Sequence, residues 1–521
     1  MQKITKYLSY GAMAVLIVMM MAATVIEKLH GSPAAFNAVY HNPLFIVLWA
    51  VAAVSGLIFL CLRGLHRTGI FTMGIHVALA LILCGALVTH LRGVSGMLHL
   101  REGEEVSTFE LEDESSAELP FSIRLDRFWI DYHPGSKMPS GYNSAVTFLP
   151  ESRDVLISMN NIARYRGYRF YQADYDEDGR GSILAVTRDP WGIGITYAGY
   201  LLLLLCMIAF FFQKNTAFRA ALKRVLSATA VIAAFLLLPS VPASAQTAGG
   251  AERLYFSIGR PQVPSMICLT LGVVLFVLLA VKISKGRKLS PRLLAAGAAV
   301  ALAVWLYLTL VIGLRWHLSG TGPYVGRYNV MMLMAWFATL AILLIYRRFP
   351  LIEPLGFLLA GFTMLLAGKA GTDLRIMPLM PVLQSPLLSI HVISMMMSYT
   401  LFGLVAFNGV MGVCIRSGKA VENLRDVSLV VLYPAVFLLT FGTFIGAVWA
   451  NISWGSYWAW DPKETWALVT MLFYSFALHG GSLKPFRNPR FFHWFTIIAF
   501  LCVLVTYFGV NLLLGGMHSY S

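Results

Sequence analysis

Long apolar runs alternate along this chain with short basic loops, and once with a long polar stretch. A helix needs about 20 mostly apolar residues to cross a bilayer. Thirteen runs qualify, near 8–26, 43–62, 71–91 and 193–212, and then near 223–240, 264–282, 293–313, 329–346, 351–367, 387–413, 427–448, 465–481 and 491–513. The first is longer than a removable leader and has no cleavage signature behind it, so it reads as a span. No internal repeat is visible. Between the third and fourth runs lies a polar insert, 92–191, in which the pattern turns to alternating and β-branched positions. Leu119–Ile130, Asn143–Met159, Tyr165–Gln172 and Ser182–Thr187 read as strands. The acidic stretch Asp174–Gly181 lacks the Gly and Glu spacing of a calcium loop and reads as a solvated hairpin turn. The pattern thus predicts a polytopic α-helical membrane protein of about 13 transmembrane helices with one external β-rich domain. Residues 1–212 form a first membrane unit that includes the insert 92–191. Residues 213–262 form a junction with a possible extra helix, and 263–521 a second membrane unit whose external loop spans 449–466.

Composition sharpens this. Hydrophobic residues make up 58% of the chain and charged residues 12%, against roughly 25% charged in soluble domains. A soluble enzyme, a disordered chain and a disulfide scaffold are excluded. The six cysteines (Cys61, Cys84, Cys206, Cys268, Cys414, Cys502) contain no C-x-x-C pair.

The net charge of +15 invites a nucleic-acid reading until the charges are placed. The insert 92–191 holds 11 Lys/Arg against 17 Asp/Glu, a net of −6, so the rest of the chain carries +21. With the N-terminus in the cytoplasm, the inner loops hold 21 basic residues and the short outer loops 8. Positive charge stays on the cytoplasmic side of short loops. The basic excess is therefore an orientation signal, with the C-terminus and the 449–466 loop outside, and no nucleic-acid partner is expected. The weakest span, 223–240, ends in Val241-Pro242-Ala243-Ser244-Ala245-Gln246, which is similar to a signal-peptidase site. Retained, it keeps the parity of everything downstream; cleaved, it would divide the chain in two.

The candidate chemistry lies in one loop and four histidines. From Trp454 to Trp466, four Trp and one Tyr fall within thirteen residues (Trp454, Tyr457, Trp458, Trp460, Trp466), with Gly455 and Asp461 among them. One or two Trp anchor a membrane interface without further function. Five aromatics at this density make an apolar platform suited to stacking a large planar ligand. Histidine inside the hydrocarbon is costly and is a functional candidate by default. His76 and His479 fall at similar depth toward the cytoplasm, and His391 and His518 toward the outer face. Two imidazoles from separate helices can hold a haem iron axially. The other histidines read as loop, interfacial or surface groups, His493 as interfacial and His317 as a possible neighbour of the external loop.

The aromatic loop with Ala467–His479 behind it resembles the tryptophan-rich WWD signature of haem-handling proteins. Ser389-Ile390-His391-Val392 with Ser398-Tyr399, and Asn511–Tyr520, are similar to the two segments that carry the external histidines of CcsA. Residues 1–212, with His76, Arg169-Phe170-Tyr171-Gln172 and Asp189-Pro190-Trp191-Gly192, resemble ResB, also called CcsB. The whole chain resembles a fused CcsB–CcsA protein, the System II cytochrome c synthase.

The resemblance implies a bacterial inner-membrane protein that moves haem b, its substrate, to the outer face. There the haem is joined to the Cys-x-x-Cys-His motif of apocytochrome c, a lyase-type thioether formation. It implies His76 and His479 as transmembrane iron ligands and His391 and His518 as external ones, with the iron ferrous and bis-His ligated. Trp454, Trp458, Trp460, Asp461 and Trp466 would shape the external haem platform and share the catalytic role of His391 and His518. Lys463, Arg315 or Arg327 would pair with propionates. A separate external thioredoxin-like reductant would keep the client thiols reduced. Two other readings use the same histidines: a haem exporter or chaperone without synthase activity, and a bis-His haem b electron-transfer subunit.

Overall fold

The computed structural model describes all residues except 112–113, 136, 227–247, 286, 288–289, 323, 325, 348, 370–373, 375–378 and 515–521. His518, most of the expected 223–240 span and the segment after it lie outside the described residues. Helices α1 (Gln2–His30), α2 (Pro43–Arg63) and α3 (Ile70–Arg92) precede an eight-stranded domain, and α4 (Gly192–Phe210) follows it. The junction holds α5 (Ala217–Leu226) and α6 (Ala248–Ile258). The second unit runs through α7 (Gln262–Ser284), α8 (Pro291–Ser319), α9 (Arg327–Ile345), α10 (Ile352–Lys369), α11 (Pro386–Cys414), α12 (Gly418–Trp454), α13 (Pro462–Leu478) and α14 (Pro489–Leu504). Among the described residues ten helices are long and apolar enough to cross a membrane. The chain is a helical membrane protein with a β-rich domain.

Two expected spans fall outside those ten: the run 351–367, which forms the shorter helix α10, and the run 465–481. The latter forms α13, a helix of 17 residues. Lys463, Glu464, Thr465 and Thr470 lower its hydropathy, and Trp466, Val469, Thr470, Leu472 and Tyr474 are buried. Its neighbours supply the apolar surroundings. On one side Trp466, Val469 and Leu472 join Ala12, Leu16, Ile17 and Met20 of α1 in a shared core. The Trp466 indole Nε1 donates to Thr24 Oγ1 of α1 at 3.2 Å. The two units of the chain therefore share one packed interior.

The insert is all antiparallel, in the order β5-β4-β3-β2-β1-β8-β7-β6. Its strands are β1 (Val94–Arg101), β2 (Glu105–Leu111), β3 (Ser116–Tyr132), β4 (Pro139–Leu149), β5 (Arg153–Ser158), β6 (Ala163–Tyr165), β7 (Tyr168–Tyr175) and β8 (Gly181–Arg188). Alternating burial along β1 puts Leu98 and Leu100 inside with Phe121, Ile123, Phe148 and Phe170. The expected strand 143–159 is two strands, because the chain turns at Ser152, whose φ is 51°. The acidic turn joins β7 to β8. There Asp176 accepts from Arg101 at 2.7 Å, and Asp178 is paired with the same guanidinium, which holds the Asp178 carboxyl below the usual carboxylate range.

On the side away from the β domain, α5 lies against α12. Arg224 of α5 donates to both carboxylate oxygens of Asp426, from Nε at 2.5 Å and Nη2 at 2.7 Å. Asp426 is buried, so this two-pronged contact fixes the junction to the second unit.

Candidate functional site

Two histidine sites, the pair His76 and His479 and the single His391, lie at opposite ends of the bundle. His76 sits near the start of α3, far from the β domain, and His479 caps the C-terminal end of α13. Their ring centroids are 5.8 Å apart, with the planes at 82°. His76 Nδ1 lies 2.8 Å from the Thr72 carbonyl and His479 Nδ1 lies 2.7 Å from the Ser475 carbonyl. A carbonyl only accepts, so each Nδ1 carries the proton in the neutral ring and each Nε2 keeps its lone pair. Both bonds run to the residue four positions back, so the helix itself sets the tautomer. Tyr10 of α1 closes one side, edge-on to His479 at 5.8 Å. An iron with a ligand nitrogen at roughly 2 Å on each side holds two axial imidazoles about 6 Å apart by centroid. The observed spacing fits that demand.

The other end holds a cavity of about 1200 Å³, counting its open mouth. His391 of α11 lines it, with its Nδ1 donating to the Gly442 carbonyl of α12 at 2.7 Å. A side chain at Gly446 would bring a Cβ to 2.5 Å from that Nδ1, so only glycine lets α12 come this close. The walls include Val330, Leu383, Leu388, Met395, Met396, Tyr399, Trp449, Trp458 and Tyr507. Two cations, Arg327 and Lys463, and one carboxylate, Glu464, reach the lining as well. Lys463 Nζ donates to Asn511 Oδ1 at 3.0 Å. The indole nitrogens of Trp449 and Trp458 are buried and have no hydrogen-bond partner among the described residues.

The aromatic loop is built to end in a helix. Asp461 caps α13 by accepting from the Lys463 backbone N–H at 2.9 Å, and Pro462 takes the first helical position. Glu464 reaches back to the Ala459 backbone N–H at 2.9 Å. Trp460 adopts φ 55° in between. The loop's aromatics divide by direction. Trp458 lines the cavity. Trp460 stacks on Tyr40 at 4.6 Å and 17°, Trp466 packs on α1, and Trp454 sets its ring edge-on to Trp449 at 5.0 Å. The structure thus gathers His391 and Trp458 at one wall, and places Asp461, Trp460 and Trp466 in the frame behind it.

A family model for the cytochrome C assembly protein matches residues 324–518, and a ResB-like family model matches residues 63–201. The chain is 36% identical to protein NrfI of Wolinella succinogenes over 222 residues, 41% of this chain and 25% of that protein. It is 36% identical to the cytochrome c biogenesis protein CcsA of Chlamydomonas reinhardtii over 232 residues, 42% of this chain and 65% of that one. With CcsA of Prochlorococcus marinus strain AS9601 the identity is 31% over 294 residues, 49% of this chain and 93% of the relative. The chain belongs to the CcsA family of cytochrome c biogenesis proteins. It joins a CcsA-like half to a ResB-like half in one polypeptide, as in a fused CcsB–CcsA protein. It spans a quarter of NrfI's length and about two thirds of the Chlamydomonas relative's.

In this frame the inner pair takes one histidine from each half, and the cavity is lined from the CcsA-like half. Sequence reasoning named His391 and Trp458 but not Trp449, which precedes the aromatic loop on the same helix and is 2% exposed. A single Trp at the end of the run 427–448 reads as an interfacial anchor, so nothing local marks it as a cavity wall. His493, read as interfacial, is instead fully buried, with Nε2 3.0 Å from the Val421 carbonyl. Arg315 is held between Tyr255 and Tyr328, and it donates to the Leu374 carbonyl at 3.1 Å. It does not line the cavity, whereas Arg327 and Lys463 do.

Proposed function

We propose that this chain takes haem from the cytoplasmic side, carries it to the outer face and joins it to the Cys-x-x-Cys-His motif of an apocytochrome c. The observation that carries the reading is the pairing of His76 with His479 at 5.8 Å from opposite halves of the chain, beneath a second histidine site at the far end of the same bundle. Helix α13 runs from the aromatic loop to His479, a length of about 25 Å at 1.5 Å per residue. One helix therefore touches both sites.

Haem bears two propionates and a metal, so it needs a protein-lined route across the hydrocarbon. The inner pair would ligate iron through the two Nε2 atoms. The cavity suits the same molecule: apolar walls for the macrocycle, one imidazole for the iron, and Arg327 and Lys463 for the propionates. The buried Trp449 and Trp458 N–H groups are donors awaiting an acceptor, and a carboxylate is one. His518 is the proposed second external ligand.

The apocytochrome's histidine would displace one external ligand and bring its two thiols beside the vinyl groups. Each S–H then adds across a C=C bond, with sulfur on one carbon and the proton on the other. The addition has no net redox change, so the protein's part is to hold the reactants in place. The thiols must arrive reduced, which calls for a separate external thiol reductant. The chain's own six cysteines are free thiols in or beside apolar helices.

The test is co-expression with an apocytochrome and a pyridine haemochrome spectrum of the client. Covalent haem in the client, lost when His391 is replaced, supports the synthase reading. Haem on the purified chain with no covalent product in the client would leave an exporter and overturn the synthase step.

A further inference from the structure

Asn451 lies near the end of α12 and is 2% exposed. Its Oδ1 accepts two hydrogen bonds from the ResB-like half. One comes from Arg169 Nη1 of β7 at 3.1 Å, the other from the Tyr197 hydroxyl of α4 at 3.0 Å. Its Nδ2 donates to the Gly455 carbonyl in the aromatic loop at 3.1 Å. A carboxamide is both acceptor and donor on one rigid plane, so the group ties two elements of one half to the loop of the other.

The loop is gripped again on either side. Gly455 has φ +86°, and a Cβ there would meet the Tyr171 ring of β7 at 2.8 Å. The Tyr457 hydroxyl donates to Thr89 Oγ1 of α3 at 2.8 Å, and that hydroxyl lies 2.6 Å from Asp189 Oδ2. Ser453 donates to Asn160 of the β domain at 2.7 Å. The next residue after Tyr457 is Trp458, which lines the cavity, and two residues before Asn451 is Trp449, which lines it too.

We propose that Asn451 is a positioning residue through which the docked β domain and α4 of the ResB-like half hold Trp458 at the cavity. This role rests on the cavity being the external haem site. Haem held there and the β domain docked on the loop then favour one another, because each needs the same loop conformation. The ResB-like half contributes more than His76: it sets the shape of a site lined by the other half.

The test titrates haem into the purified full-length chain carrying His76→Ala and His479→Ala, so that the inner pair is removed. Asn451→Ala should weaken cavity binding by roughly tenfold, the scale of lost buried hydrogen bonds. Asn451→Asp keeps the acceptor for Arg169 and Tyr197 and should recover part of the loss. Arg169→Met should weaken binding as well, and Arg169→Met with Asn451→Ala should be no worse than Asn451→Ala alone. If Asn451→Ala does not fold, Tyr197→Phe and Arg169→Met each remove one donor and carry the same test. Unchanged affinity in Asn451→Ala, or a lower unfolding temperature with unchanged affinity of the folded protein, overturns the positioning role. If His391→Gly also leaves the titration unchanged, the cavity is not the haem site, and the functional reading itself fails.

Discussion

The imidazoles of His76 and His479 stand 5.8 Å apart at 82°, although they belong to opposite halves of the chain. Helix α13 docks on α1 through Trp466, Val469 and Leu472, with Tyr10 beside His479, and α2 packs on both α1 and the α3 helix that carries His76. If the two rings hold one iron, they act as a unit. Either His76→Ala or His479→Ala should then lower the haem retained at this end by at least about tenfold, with little added by the double variant. The pyridine haemochrome of the purified chain reads this. Full retention in both single variants would show that the pair does not ligate iron.

The cavity makes a different demand. His391→Gly removes an imidazole but leaves the walls, and Gly442 and Gly446 beside it leave room for a small molecule. External haem and covalent product should fall and then recover when imidazole is added to the medium. Normal holocytochrome yield without imidazole would remove His391 from the site.

Trp458 and Trp466 separate lining from packing. Trp458→Ala should reduce cavity haem and cytochrome product while lowering the unfolding temperature less than Trp466→Ala, because Trp458 is only partly buried, against Ile193, Ala447 and Tyr457. Trp466→Ala deletes a ring that is 8% exposed and bonded to Thr24, and should destabilise the protein by about 3–5 kcal/mol. Thermal unfolding in detergent, measured beside haem content, checks both. A stability loss for Trp458→Ala equal to that for Trp466→Ala would mean that both are packing residues.

Gly455→Ala meets two obstacles, a positive φ and the Tyr171 ring. A cost of about 1–3 kcal/mol is expected, concentrated in the loop. Faster proteolysis of the loop with intact inner-pair haem is the expected signature. Unchanged loop protection would show that the β domain yields to the added methyl.

The contact between Arg224 and Asp426 is two-pronged, and one partner is buried. Arg224→Met leaves a carboxylate in a low-dielectric position without its cation. Destabilisation of about 1–3 kcal/mol is expected, on the low side for a broken ion pair because the Arg side chain is 58% exposed. The double variant Arg224→Met with Asp426→Leu should recover most of it. A neutral single variant would show that water reaches Asp426.

Hydrophobic patterning carries far in this protein because each helix in a bilayer must satisfy its own backbone. Twelve of the thirteen expected spans coincide with described helices, and the exception, 223–240, falls mostly outside the described residues. The β insert was legible through alternation, but β1 and β2 were not, since they offer few large apolar residues to the core, Leu98 and Leu100 from β1 and Phe109 from β2. Turn chemistry also hid the split of 143–159 into two strands.

By itself, the sequence determined the order of the apolar helices and the polar domain between them, because these follow from position along a run. It also marked the loop that ends in α13, because Asp461, Pro462 and Glu464 are local signals for a helix start. Which histidines meet, and which Trp of the loop reaches the cavity, was decided only by tertiary packing. Those outcomes depend on how α13 rests on α1 and how the β domain grips residues 451–457. Both contacts join residues hundreds of positions apart, and no local pattern encodes them.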